Sequence, residues 1–256
     1  MSHKIKTQTK NGFTLIELML AMTFISILLL TIAMTIVQIA TIYNRGIIAK
    51  EVNISSRQIS NELGLAMNAS TSFSVLPADH HYIDNAWGGR LCVGKYSYIW
   101  NYGSALYPST LSANRNMYDP AQPVNTAANI VKIGSATRYE ISLVKAPDAS
   151  GVYCTPNASG VYPNINPTGA VELLRTGDHA LVLHYLNVST SAGATDALSA
   201  QQLYKITFVL GSSDMSAITG TQAATLCIAP GLPGADPNYC QIQKFTIVLR
   251  VVSGVN

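Results

Sequence analysis

Between Glu17 and Arg45 the chain runs for 27 residues, Leu18 to Asn44, without one charged side chain. As an α-helix, at 1.5 Å per residue, such a run spans roughly 40 Å, enough to cross a ~30 Å hydrocarbon core with some tilt. In a chain of 256 residues this leaves room for one globular domain of about 180 residues, a normal size.

What precedes the run is short and basic. Met1 to Gly12 holds Lys4, Lys6 and Lys10 and no acid. These lysines set the charge of the whole chain: without them thirteen basic and thirteen acidic side chains remain, and the excess of +3 falls to zero. Unbalanced lysines in front of an apolar helix place that end on the cytoplasmic side and the bulk of the chain across the membrane. A remainder with no net charge and no basic cluster makes no case for nucleic-acid or anionic-membrane affinity. The leader departs from an ordinary secretory signal, because its small residue, Gly12, precedes the apolar segment instead of following it. Cleavage after Gly12 would leave the hydrophobic helix on the mature chain.

The stretch K-N-G-F-T-L-I-E-L-M-L-A, Lys10 to Ala21, resembles the class III signal of type IV pilins and of their relatives, the pseudopilins of type II secretion. Lys10, Gly12, Phe13, Thr14, Leu15, Ile16, Glu17 and Leu18 match that motif without a gap. The resemblance implies that residues 1–12 are a leader, removed after Gly12 by a membrane aspartyl protease, the prepilin peptidase. The same enzyme then methylates the new amine of Phe13. By the same resemblance Glu17 is the subunit-assembly acid, paired with the N-terminal amine of a neighbouring pilin subunit in a helical filament. The implied partners are those subunits, the peptidase and an inner-membrane assembly platform, with no cofactor. Length and a strand-rich C-terminal half make the chain most similar to a minor pilin of the W type or a J-type pseudopilin. The filament can be a pilus, a competence structure or a secretion pseudopilus.

Physical chemistry leads to the same acid. A carboxylate near the end of a membrane helix is costly to hold in lipid, less so at the interface. It survives where something offsets that cost. An α-ammonium created by cleavage at Phe13 is one such partner; solvation of Glu17 by lipid headgroups is the plainer alternative.

Helical periodicity continues past the membrane run. Ile47, Ile48, Val52, Ile59, Leu63 and Met67 recur at helical steps with charged residues between them, and no proline occurs before Pro77. This pattern predicts one helix from about Thr14 to about Asn68, membrane-spanning over 18–44, whose second half lays an apolar stripe on the globular domain. Gly46 and Gly64 are its weak points. The resulting division is a leader over 1–12, a helical region over 13–70 and a globular region over 71–256.

From Ser70 the sequence turns to short strands and polar loops. Asp79 to Gly89 reads as a loop and Leu91 to Tyr102 as a strand or hairpin. Tyr102 to Ile130 reads as a long surface connection, and Arg138 to Lys145 as a half-buried strand. Pro147 to Thr168 is a loop carrying Cys154. Val171–Thr176 and His179–Val188 are expected to pair across a turn at Gly177–Asp178, followed by strands at Leu203–Leu210 and Ile242–Val252. Antiparallel strands after one long helix make an α+β fold, with a face of the sheet packed on the helix.

Cys92, Cys154, Cys227 and Cys240 all lie beyond the membrane run. An even count in a translocated domain favours two disulfides with three possible connectivities; free buried thiols are the alternative. Cys227–Cys240 would close a local loop, which leaves Cys92–Cys154 by elimination. No pair has C-x-x-C spacing, against zinc or thioredoxin chemistry.

The remaining polar residues give no catalytic or metal-binding pattern. His80 and His81 are adjacent and His179 and His184 are five apart, so in strands each pair points to opposite faces. Asp178 beside His179 sits in a turn, where Asp is a good turn former. No phosphate-binding loop and no G-x-S-x-G nucleophile motif occurs, so the expectation is a protein that is not an enzyme. Tyr96, Tyr98, Trp100, Tyr102 and Tyr107 form an aromatic-rich stretch, half of which is expected to face the core. Only 11% of residues are charged, against about 25% in ordinary soluble domains, which suits an extracellular or filament-packed surface. The leading expectation is therefore a structural filament subunit. The alternative is a surface adhesin or binding module that uses the pilin-like helix for delivery.

Overall fold

The computed structural model describes residues 12–76, 79–85, 88–106, 141–158, 160, 162–175, 181–190 and 201–252. The chain divides into two compact units, one ending at Tyr43 and the next beginning at Asn44. Helix α1, Leu15–Asn68, contains that boundary.

In the first unit every large apolar side chain from Phe13 to Tyr43 is exposed. A bare apolar surface of this extent is not stable in water, and the helix is long and apolar enough to cross a membrane. Its hydroxyls agree with an apolar surrounding. Thr23, Ser26, Thr31, Thr35 and Thr41 each donate to a backbone carbonyl three or four residues back, at 2.8–3.1 Å. Such back-bonding pairs the polar atoms inside the helix itself, as a lipid-facing segment requires.

In the second unit α1 buries Ile48, Val52, Ser56, Ile59, Leu63 and Met67. The steps of four, four, three, four and four residues follow one face of a 3.6-residue helix. Ile47, expected on this stripe, lies exposed, since one residue from Ile48 is about 100° around the helix axis. Gly64 touches the Leu249 side chain, where an added Cβ would stand 3.7 Å from it.

The stripe packs on antiparallel strands, so the fold is α+β, but the strands form two principal sheets instead of one. The first has the order β1 (Tyr82–Asp84), β2 (Gly88–Val93), β3 (Tyr96–Asn101), β4 (Ile141–Pro147), β5 (Val171–Arg175). The second places β7 (Gln201–Ser212) between β6 (Leu181–Thr190) and β10 (Ile242–Val252). A two-stranded ribbon of β8 (Ile218–Thr219) and β9 (Leu226–Cys227) completes the set. A four-residue helix, α2 (Gly103–Leu106), follows β3.

Several expectations change here. The stretch Asp79–Gly89, expected as a loop, contributes β1 and the start of β2. The expected pairing of Val171–Thr176 with His179–Val188 does not occur. β5 pairs with β4, and β6 pairs with β7. The reason is burial. β6 is covered along most of its ten residues and needs the long partner β7 provides, whereas β5 is short, partly exposed and forms a sheet edge. The turn at Gly177–Asp178, residue His179 and most of Tyr102–Ile130 lie outside the described residues.

The β2–β3 hairpin turns at Gly94, φ +60°, where glycine carries no left-handed penalty. Its aromatic side chains do not alternate between core and solvent. Tyr96, Tyr98, Trp100 and Tyr102 share one parity along the chain; Tyr98, Trp100 and Tyr102 are buried and only Tyr96 is partly open. Residues of the opposite parity, Ser97, Ile99 and Asn101, are buried too. The sheet is covered on both sides: by α1 and the second sheet in front, and by the segment 148–170 behind, where Ile99, Val144, Ala146 and Ile165 cluster. Tyr107 lies outside the described residues.

Candidate functional site

The motif residues come first in the described chain. Gly12 and Phe13 precede the helix, and Phe13 is 83% exposed. Thr14 and Glu17 then close a reciprocal cap. The Thr14 N–H and hydroxyl both donate to Glu17 Oε2, at 2.9 and 2.8 Å, and the Glu17 N–H donates to Thr14 Oγ1 at 3.3 Å. This is the capping box, T-x-x-E, in which side chains satisfy the unpaired N–H groups of a helix start. Glu17 also lies in the first turn, where a negative charge complements the helix dipole. Both bonds to the carboxylate converge on Oε2. Among the described residues nothing donates to Oε1, so that oxygen remains available to a cation.

The cap is a local role for Glu17 that the sequence analysis missed. The signal was there: Thr14, two residues, then Glu17, immediately before an apolar run. The two roles are chemically compatible, because one carboxylate carries enough lone pairs to cap its own helix and accept an external ammonium.

The cysteines form two disulfides, Cys92–Cys154 and Cys227–Cys240, and no cysteine is free. These are the pairs favoured from sequence position. Cys92 in β2 fastens the segment that covers the back of the first sheet. That segment is organised by Asp148, whose carboxylate accepts from Ser97 Oγ at 2.7 Å and from the Val152 and Tyr153 N–H groups at 2.9 Å. Arg90 reaches the same segment, donating to the Tyr153 carbonyl at 2.6 Å and lying 4.3 Å over the Tyr162 ring. Burial lowers its guanidinium to about 10, which still leaves it charged at neutral pH. These interactions are structural: each holds a loop against a sheet.

The histidines do not converge. His80 and His81 are exposed, and the His81 ring lies 3.3 Å from the Cys92 carbonyl. His184 is buried in β6, with Nε2 3.1 Å from the Ser212 carbonyl. Since a carbonyl only accepts, Nε2 carries the proton and Nδ1 is left as the ring's acceptor. Burial lowers its pKa to about 4. Among the described residues no group of three or more His, Cys, Asp or Glu is placed to hold a metal ion.

The aromatic stretch is occupied in packing and hydrogen bonding. The Tyr102 hydroxyl donates to Asp84 Oδ1 at 2.6 Å and receives the Leu186 N–H at 3.3 Å. Tyr96 stacks under Lys145 Nζ at 4.2 Å, and Lys145 pairs with Glu62 at 2.6 Å. Comparisons with protein-family models, with curated proteins and with solved structures found no match for this chain.

Proposed function

We propose that this protein is a structural subunit of a type IV pilus or of a related filament, inserted in a membrane by α1, cut after Gly12 and assembled through that helix. The observation that carries the reading is the junction at Gly12–Phe13. An exposed apolar residue, Phe13, stands just before the helix, and in the first helical turn stands a lone acid whose Oε2 is engaged by its own Thr14. Cleavage there would create an ammonium on Phe13, and the unengaged Oε1 of Glu17 in a neighbouring copy is suited to receive it. Pairing the two would neutralise both charges in an apolar packing and set the axial register between subunits. The length of the chain and its strand-rich second half favour a minor subunit. The lysines of the leader favour a cytoplasmic N-terminus, with the second unit on the far side of the membrane.

The test separates the cap from the charge. Glu17→Gln keeps an amide oxygen able to accept from Thr14 but removes the negative charge; Glu17→Val removes both. Both variants are expected to insert and to be processed, and both to enter filaments at least tenfold less than wild type. Full incorporation of Glu17→Gln into purified filaments would show that the acid serves only its own helix and would sink the assembly role.

A further inference from the structure

A cleft of about 380 Å³ opens where the first sheet, the second sheet and the β8–β9 ribbon approach one another. This is within the usual size of a small-ligand site. Its polar groups come from four separate places: Asp84 at the end of β1, Tyr102 after β3, His184 and Tyr185 in β6, and Gln222 and Thr225 between β8 and β9.

Two of these are held in unusual backbone. The β6–β7 register shifts between Leu183 and Tyr185, so His184 occupies a bulge, a device that re-aims side chains beside functional sites. Gln222 stands at φ +53°, in the left-handed region that disfavours a side chain of its type. Its carbonyl is held there by the Thr225 hydroxyl at 2.7 Å and the Thr225 N–H at 3.2 Å. Glycine would occupy that backbone freely, so a glutamine kept in it points to use of its amide.

The lining selects the ligand class. Among the described residues no lysine or arginine lines the cleft, which disfavours phosphates, sulfates and carboxylates. The one carboxylate, Asp84, already accepts from Tyr102, and a single acid does not make a cage for a hard cation. What lines the cleft is a carboxylate, a planar amide, hydroxyls, a buried imidazole and the Tyr185 side chain. That mixture of fixed acceptors and donors beside an aromatic surface matches vicinal hydroxyl groups on an uncharged ring. We infer that this cleft binds a neutral sugar residue.

The experiment uses the full chain in lipid nanodiscs and saturation-transfer NMR. The neutral probes are glucose, galactose, mannose, fucose and the two N-acetylhexosamines. Glucuronic acid and N-acetylneuraminic acid are the anionic counterparts, and triglycine is the peptide probe. At least one neutral sugar is expected to bind, with the anionic sugars and triglycine silent. Asp84→Asn and Gln222→Gly are each expected to weaken that binding tenfold or more. Gln222→Gly should melt no lower than wild type, because glycine relieves the positive φ, so its loss of binding cannot be ascribed to misfolding. The inference is overturned if no neutral sugar binds, if Gln222→Gly binds as wild type does, or if triglycine or an anionic sugar binds in preference.

Discussion

Removing the two disulfides separately should cost different amounts, in an order set by how much chain each one closes. Cys92 and Cys154 are 62 residues apart in sequence and Cys227 and Cys240 are 13 apart. The loop-closure relation gives about 4.3 kcal/mol at 25 °C for the longer loop and about 2.9 for the shorter, a difference of about 1.4. The longer bridge also secures the cover over the back of the first sheet, where Ile165 is fully buried against Ile99, Val144 and Ala146. Its loss should therefore exceed that of the shorter bridge by at least this entropic difference. The comparison is between Cys92→Ser/Cys154→Ser and Cys227→Ser/Cys240→Ser, each in the full chain in detergent. Urea unfolding can be followed through Trp100, a fully buried fluorophore. The first double variant should show the lower midpoint and the lower extrapolated stability, at a slope no smaller than that of the second, because opening the longer loop lets the unfolded chain expose more surface. Equal midpoints, or a lower one for the 227–240 pair, would refute the argument that loop length governs the ranking.

Three further outcomes are expected. A bulky residue at position 12, as in Gly12→Leu, should leave the precursor uncut; mass spectrometry finding the chain beginning at Phe13 would discard the cleavage assignment. Gly89→Ala should destabilise the second unit by roughly 1–3 kcal/mol, the usual range for overpacking, because its Cβ would stand 2.3 Å from the Trp100 ring and 2.5 Å from the Ile83 carbonyl. A urea midpoint equal to wild type would contradict the packing of β2 against Trp100. Acid should weaken the fold through His184. Its folded pKa, about 4, lies below the unfolded value near 6.5, so the unfolded chain binds the proton first. Stability is full above about 6.5 and falls by something on the order of 3 kcal/mol as the pH drops to about 4. Asp84 acts in the opposite sense: desolvation of its carboxyl raises it to about 6, so protonation favours the folded state as pH falls. Its effect is the smaller, since the residue as a whole stays exposed to solvent. His184→Gln should flatten the acid limb of a stability–pH curve measured by urea unfolding; an unchanged limb would remove His184 as the cause.

Much of the architecture was legible because its causes are local. An uncharged run longer than a bilayer is thick can be counted, and so can the steps from Ile48 to Met67 that continue the helix. Ile242–Val252 reads as a strand because alternation and β-branched residues coincide, and it forms β10 over those residues. The capping box is equally local: Thr14 and Glu17 satisfy each other's polar groups within one turn.

What sequence order could not reveal is which strand lies beside which. Neighbours in the chain suggested a hairpin of β5 and β6; instead the partners follow length and burial, with β7 matching β6 and β4 taking β5. A similar error put half of the aromatic stretch in solvent. Period-two spacing places Tyr98, Trp100 and Tyr102 on one face, but says nothing of what covers the other, and here the segment fastened by Cys92–Cys154 covers it. The cleft is the extreme case, since Asp84, His184 and Gln222 come from three strands or turns more than thirty residues apart and share no motif. Periodicity and composition report the surface each segment must bury. Only folding the chain back on itself determines what it is buried against, because long-range pairing is set by the fit of whole surfaces and not by any residue's neighbours in sequence.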